Sequence, residues 1–153
     1  MNQLQLAQHM ATVYHQDQVD IGGTPYIEHP RAVVNRLPQD PQLQTLAWLH
    51  DLIEDTPLTL EQVSQYPFDS EVLQGLQVIT RIDQESYDAY LSRVRTSRLA
   101  TLVKIEDLHE NSRLSRLNRE PKARDWKRLV KYQTAIAQLT QHAIRAGWLT
   151  EAI

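Results

Sequence analysis

Residues 48–56 read WLHDLIEDT and place four ionisable side chains inside a stretch that otherwise predicts a buried helix. The four are His50, Asp51, Glu54 and Asp55. Burying an unpaired charge costs free energy unless the charge is paired or binds a metal. Because His50 and Asp51 are adjacent, they can offer an imidazole nitrogen and a carboxylate oxygen to one divalent cation. The alternatives are an ordinary surface pair, or a structural pair in which the two side chains merely satisfy each other.

The spacing of apolar residues around this stretch predicts helices. Asp40 and Pro41 suit the N-cap and the first position of the helix that carries the stretch, and Pro57 discourages this helix beyond Asp55. Other predicted helices span residues 2–15, the segment from Ala32 to Leu37, residues 85–95 and residues from about 125 to 146. Two short helices are predicted to begin at the caps Thr59 and Asp69, and a further helix at the cap Ser97. No strand of convincing length is indicated. We therefore expect an all-α fold, a single compact helical bundle over residues 1–153.

Composition narrows the classes of function. The formal net charge of −3 gives no general attraction to nucleic acid polymers or anionic membranes, so we expect neither as a partner. The absence of cysteine excludes disulfides, Cys-containing zinc sites and thiol nucleophiles. No secretory signal is indicated, and no apolar segment approaches the roughly 20 residues that a membrane span needs, which favours a cytoplasmic protein. Trp126 and Trp148 are expected in the core rather than at an interface, and the oligomeric state stays open.

Two further residues offer metal ligands at a distance from His50 and Asp51. His29 lies in YIEHP, where the following proline restricts its backbone, and Asp107 lies on the inner side of its helix, one turn from Val103. The four side chains would supply two nitrogen and two oxygen donors. Such a set suits Mn²⁺, Fe²⁺ or Zn²⁺ better than Ca²⁺.

Each of these donors also has an ordinary explanation. A loop histidine such as His29 can bond to the main chain, and Asp107 can pair with Lys104 or Arg113. The occurrence of all the motifs together, in this order along the chain, favours a metal site over these explanations.

Three segments taken together resemble the HD-domain hydrolase module of the RelA/SpoT family and its small stand-alone relatives. They are GTPYIEHP (23–30), LHDLIEDT (49–56) and VKIEDLHEN (103–111), and the resemblance extends from about His15 to the final helix. It implies one HD-type hydrolase domain and a metal-dependent phosphohydrolase. In that family a Mn²⁺ ion supports removal of pyrophosphate from the 3′ position of guanosine tetra- or pentaphosphate.

The resemblance implies a role for each matching position. The implied metal ligands are His29, His50, Asp51 and Asp107, the implied acidic pair near the reactive water is Glu54 and Asp55, and the implied substrate-facing residue is Asn111. The metal expected by resemblance is Mn²⁺, with Fe²⁺, Zn²⁺ or Mg²⁺ as alternatives. Lys104, Arg81 and Arg113 are candidates to hold phosphate, unless they are ordinary solvated surface charges.

The chain departs from the family in the segment QVDIGGTPY (18–26). Where the guanosine-tetraphosphate hydrolases carry a basic pair whose arginine lies against the guanine, this chain has Asp20 and Ile21. An arginine can stack on a base and pair with phosphate, whereas an aspartate repels phosphate. We therefore predict hydrolysis of a small phosphorylated compound, expected to be a nucleotide. The alternatives are a nucleotidase-like or triphosphohydrolase-like enzyme, and a nucleotide-sensing or partner-binding HD module with little turnover.

Overall fold

The computed structural model describes residues 1–150, and helices dominate this part of the chain. The helices are α1 (Gln3–Tyr14), α2 (Glu28–Arg36), α3 (Pro41–Leu49), α4 (Leu52–Asp55), α5 (Leu60–Ser64), α6 (Ser70–Ile79), α7 (Tyr87–Val94), α8 (Arg98–Asn111) and α9 (Ala123–Arg145), with a 3₁₀ turn at Leu114–Arg116. Within residues 1–150, extended pairing is limited to an isolated bridge between Val19 and Pro25. The predicted all-α fold is confirmed.

Local sequence explains where several helices begin. The Asp40 carboxylate accepts hydrogen bonds from the main-chain N–H groups of Gln42 and Leu43, with proline at the first position of α3. Thr59 caps α5 as predicted, and together with Gln62 it forms a capping box. The hydroxyl of Ser97 likewise caps α8, as predicted.

Asp69 departs from its predicted role as a side-chain cap. It occupies the N-cap position of α6, but its carboxylate makes no capping hydrogen bond. One carboxylate oxygen instead accepts from the side-chain amides of Gln3, at 2.7 Å, and Gln42, at 3.1 Å. Asp69 therefore ties α1 and α3 to the start of α6, because amide donors from these helices lie within its reach.

The helix predicted to run from Pro41 to Asp55 is interrupted, and this correction matters for the site. Helix α3 ends at Leu49, and α4 begins at Leu52. The ring nitrogen Nδ1 of His50 lies 2.6 Å from the carbonyl oxygen of Ala47, which a continuous helix would pair with the N–H of residue 51. The side chain thus competes for a carbonyl of the helix, and the break falls at the two adjacent predicted metal ligands, His50 and Asp51.

Helices α3 and α8 form the centre of the molecule. Helix α3 packs against α1, α2, α6 and α8, and α8 also packs against α2, α6, α7 and α9. A Cβ atom at Gly75 would lie 2.8 Å from the Cδ2 of Leu46, so glycine allows the close approach of α6 to α3. Asp107 lies on α8, His50 directly follows α3, and His29 lies on α2, which packs against both. Packing of the core therefore fixes the relative positions of these residues.

The C-terminal helix differs from expectation at its tryptophans. Trp126 is 50% exposed on α9, so its assignment to the core is wrong. Trp148 follows the end of α9 and packs partly buried against the core. Between them, Gly147 adopts a φ of +79° just past the helix end, a conformation typical of glycine in that position. Within residues 1–150, no helix is long and apolar enough to cross a membrane.

Candidate metal centre and active site

Four residues that the sequence predicts as metal ligands come together between α2, the α3–α4 break and α8. One ligand atom from each of His29, His50, Asp51 and Asp107 lies within 4.8 Å of the others. His29 is the second residue of α2, and Asp107 lies in the second half of α8. The packing of α2, α3 and α8 on one another therefore assembles the predicted set.

Short distances join the four donors. Nε2 of His29 lies 2.8 Å from Oδ1 of Asp107 and 3.6 Å from Oδ2 of Asp51. Nε2 of His50 lies 3.1 Å from Oδ2 of Asp51 and 3.3 Å from Oδ1 of Asp107. Two imidazole nitrogens and two carboxylate oxygens thus face one small region, which is largely shielded from solvent.

The position of the proton on the His50 ring shows whether its other nitrogen is available to a cation. A carbonyl oxygen only accepts hydrogen bonds, so the contact with Ala47 places the proton of a neutral His50 on Nδ1. Nε2 then directs a lone pair towards the oxygens of Asp51 and Asp107. Because the nitrogen and the oxygens are all acceptors, a proton or a cation is needed between them. Two nitrogen and two oxygen donors suit a divalent first-row metal, so the residues fit such an ion.

Three further side chains hold the two carboxylates in place. The hydroxyl of Tyr26 donates to Oδ2 of Asp51. Nζ of Lys104 donates to Oδ2 of Asp107 at 2.8 Å, and Nδ2 of Asn111 donates to its Oδ1 at 3.1 Å. Burial acts to raise the pKa of Asp107, but the charge of Lys104, followed by that of the neighbouring His50, outweighs burial and holds this pKa well below its ordinary value.

These contacts add detail to the predicted substrate residues. Lys104 and Asn111 both donate to Asp107, a predicted metal ligand, and their contact with substrate stays a prediction. Tyr26 did not emerge from the sequence reasoning. Its position three residues before His29, in the same motif, was the available signal.

The acidic pair lies on α4, beside the centre. Oε1 of Glu54 accepts from the main-chain N–H of Arg81 at 2.7 Å, and the main-chain oxygen of Asp55 accepts from the side-chain amide of Gln18 at 2.7 Å. Burial raises the pKa of the Glu54 carboxyl and that of the Asp55 carboxyl, and the charge of Asp51 adds to both rises. These carboxyl groups are therefore better proton acceptors than ordinary acidic side chains.

Two of the predicted phosphate-holding cations have other partners. The guanidinium of Arg81 lies 5.1 Å from the ring centroid of Tyr90 and 5.5 Å from that of Tyr87. Arg113 forms an ion pair with Glu110 one turn earlier. Their role in holding phosphate stays a prediction.

A cleft of about 430 Å³ opens beside His29, and we call it the His29 cleft. A cleft of this size accommodates a small-molecule ligand. Its walls come from the α1–α2 loop, α2, and the end of α8 with the segment that follows it. The charged residues that line it are Asp20, Glu28, Glu110, Arg113 and Arg116.

Comparison with known proteins supports the resemblance. A guanosine-3′,5′-bis(diphosphate) 3′-pyrophosphohydrolase of Haemophilus influenzae is 32% identical over 113 residues, which cover 65% of this chain and 16% of that protein. A probable GTP pyrophosphokinase of Mycobacterium leprae is 38% identical over 84 residues, 53% of this chain and 10% of that protein. The chain thus spans about a sixth or less of the length of these relatives. No protein-family model matches the chain.

A solved structure shares the fold over almost the whole chain. It is described as a metazoan ortholog of SpoT that hydrolyzes ppGpp, and it superposes with a TM-score of 0.69 at 21% identity. The match covers 97% of this chain and 98% of the other. Together, these comparisons confirm the predicted resemblance to RelA/SpoT-type hydrolases and the all-α fold.

Proposed function

We propose that this chain, taken as one HD-type domain, is a metal-dependent phosphohydrolase of a small phosphorylated nucleotide, similar to the 3′-pyrophosphohydrolases of guanosine 3′,5′-bis(diphosphate). The observation that carries the proposal is the convergence of His29, His50, Asp51 and Asp107 beside two acidic side chains of raised pKa. The similarity to hydrolases of that nucleotide supports the reaction class.

In this proposal His29, His50, Asp51 and Asp107 hold a divalent ion. We favour Mn²⁺, with Fe²⁺, Zn²⁺ or Mg²⁺ as alternatives. When bound, such an ion supplies Lewis acidity towards a phosphoryl oxygen and lowers the pKa of a coordinated water.

The remaining steps belong to side chains of the protein. Glu54 or Asp55 orients the attacking water and accepts its proton as the water oxygen bonds to phosphorus and the bond to the leaving oxygen breaks. The same carboxyl group, once protonated, returns the proton to the leaving oxygen. Lys104 and Asn111 keep Asp107 in place, and we assign Asn111 to the substrate-facing side of the centre.

The test is a hydrolysis screen across guanine and adenine nucleotides with one to five phosphates, each with Mn²⁺, Mg²⁺ or Zn²⁺. We expect metal-dependent release of phosphate or pyrophosphate by the unmodified protein, and its loss in His50→Ala and Asp51→Ala. His9→Ala, which removes an exposed histidine on α1, is the matched control and should keep full activity.

Two outcomes would redirect the assignment. Full activity of His50→Ala and Asp51→Ala would overturn the proposed centre. Tight nucleotide binding without release of phosphate or pyrophosphate by the unmodified protein would instead favour a nucleotide-sensing module.

A further inference from the structure

Arg116 is a cation close to the predicted metal ligand Asp107. It ends the 3₁₀ turn between α8 and α9 and lines the His29 cleft. Its NH1 group donates to Oδ1 of Asn111 at 2.8 Å, and Nδ2 of Asn111 donates to Oδ1 of Asp107 at 3.1 Å. The guanidinium therefore stands two hydrogen bonds away from a predicted metal-ligand oxygen.

Most of the hydrogen-bonding capacity of the Arg116 guanidinium is free for a ligand. A guanidinium has five N–H donors, and within residues 1–150 that of Arg116 makes one hydrogen bond, the contact with Asn111. Its NH2 group lies 3.9 Å from Oδ2 of Asp20, which is an ion pair rather than a hydrogen bond. By contrast, Lys104 is bound to Asp107, and Arg113 to Glu110.

The α1–α2 loop holds Arg116 in position. Oδ1 of Asp20 accepts from the N–H groups of Gly22 and Thr24, each at 2.9 Å, so the loop fixes the direction of this carboxylate. A Cβ atom at Gly22 would lie 2.3 Å from the carbonyl oxygen of Arg116, so the loop backbone packs directly on the backbone of this arginine. Side chain and main chain of Arg116 are thus both positioned before a ligand arrives.

We infer, building on the proposed function, that Arg116 binds a second phosphate group of the substrate while the first lies at the metal centre. The chain would then select compounds with at least two phosphate groups. A planar guanidinium with free donors binds two phosphate oxygens at once, and preorganisation reduces the entropy lost on binding. Arg116, which forms an ion pair with Asp20, also supplies a positive charge that the loop itself lacks.

Asp20 weakens the attraction of Arg116 for phosphate, because its carboxylate partly neutralises the charge of the guanidinium. Asp20→Asn keeps an oxygen that can accept from Gly22 and Thr24, and so preserves the loop, while it removes the negative charge. This variant should bind the second phosphate more tightly than the unmodified protein does.

The experiment measures binding without turnover. The Mn²⁺-loaded protein is titrated calorimetrically with inorganic pyrophosphate and with inorganic phosphate, with blank titrations into Mn²⁺ alone. We expect Arg116→Ala to weaken pyrophosphate binding about tenfold or more, as for loss of charge-assisted hydrogen bonds, and to change phosphate binding less than twofold. The pyrophosphate affinity of Arg116→Lys should lie between that of Arg116→Ala and that of the unmodified protein, because lysine keeps the charge without the planar pair of donors. Arg145→Ala, at the far end of α9, is the control.

Unchanged pyrophosphate binding in Arg116→Ala would overturn the inference, and so would an equal loss for phosphate and pyrophosphate. If Arg116→Ala does not fold, Arg116→Lys replaces it. This variant should lose pyrophosphate affinity relative to the unmodified protein and keep its phosphate affinity, and any other result would overturn the inference. Failure of the proposed function gives a different result: no turnover of any nucleotide, with the preference for pyrophosphate and its dependence on Arg116 intact.

Discussion

Nε2 of His29 and Oδ1 of Asp107 lie 2.8 Å apart, although 78 positions separate the two residues along the chain. Both side chains are almost fully buried. The fold therefore brings a histidine and a carboxylate together by packing α2 on α8. An ion that binds this cluster requires the folded chain, which links metal affinity to stability.

Removal of metal should lower the melting temperature. An ion that binds only the folded state stabilises by about 2.7 kcal/mol when its free concentration is a hundred times Kd, which raises the Tm of a domain of this size by several degrees. Thermal melts with EDTA and then with added Mn²⁺ measure this shift. In Asp51→Asn, which keeps the size of the side chain, the shift should largely disappear. An equal shift in that variant would argue against the assigned ligands.

Tyr26→Phe should weaken metal binding while the fold survives. The Tyr26 hydroxyl donates to Oδ2 of Asp51, the oxygen that lies nearest to His29 and His50, and loss of a contact to a metal ligand typically costs about 10- to 100-fold in metal affinity. The matched control is Tyr87→Phe, because the buried hydroxyl of Tyr87 has no hydrogen-bond partner within residues 1–150. Calorimetric Mn²⁺ titrations of both variants provide the comparison. Equal affinities would show that the Tyr26 contact does not orient Asp51.

Lys104→Met should destabilise the metal-free protein far more than the metal-bound protein. Its ammonium group compensates the buried charge of Asp107, and removal of one partner of such a pair costs about 3 kcal/mol or more. A bound divalent ion would supply part of the missing positive charge. Urea unfolding with EDTA and with Mn²⁺ measures both losses. Lys131→Met, which removes an exposed lysine that contacts Tyr87 through a cation–π interaction, should have a small effect in both conditions.

The sequence predicted those features of the fold and site that depend on local chemistry. The capping box of Thr59 and the start at Asp40 follow from hydrogen bonds within a few residues, and the structure has both. The break after Leu49 does not follow from periodicity, because the apolar spacing continues through Ile53 without a glycine or proline. It depends on the contact of the His50 side chain with the carbonyl oxygen of Ala47, which the spacing of apolar residues does not indicate.

Long-range partners explain the other departures. The Asp69 carboxylate accepts a hydrogen bond from Gln3, which lies 66 positions away along the chain. Capping rules consider only neighbouring residues, so they do not predict this contact. Arg116 lies in a polar segment without periodicity, and its contact with Asp20 appears only once the α1–α2 loop is placed beside it. Charge alone did not distinguish this arginine from Arg113.

Acid should weaken the start of α9 through Asp125. A hydrogen bond from Arg119, aided by the main-chain N–H of Lys122, lowers the pKa of Asp125 to about 2. Because the folded pKa is depressed, the stabilisation is present above the unfolded value of about 4 and is lost as pH falls towards 2. Urea unfolding of the unmodified protein and Asp125→Asn at pH 6, 4 and 2 should show a difference that shrinks with acid. Arg119→Gln should reduce the difference at pH 6, and a difference independent of pH would contradict this account.

Gly22→Ala should disturb Arg116 as well as stability, whereas Gly23→Ala should affect stability alone. The new methyl group at Gly22 would meet the carbonyl oxygen of Arg116 at 2.3 Å, a clash between two backbone segments that costs about 1–3 kcal/mol and moves them apart. A methyl group at Gly23 meets nothing within 4 Å, but its φ of +84° imposes about 1–2 kcal/mol of backbone strain. Urea unfolding and pyrophosphate titration of the Mn²⁺-loaded variants separate the two effects. Both variants lose stability, but only Gly22→Ala should lose pyrophosphate affinity, because only its clash displaces the guanidinium from the cleft.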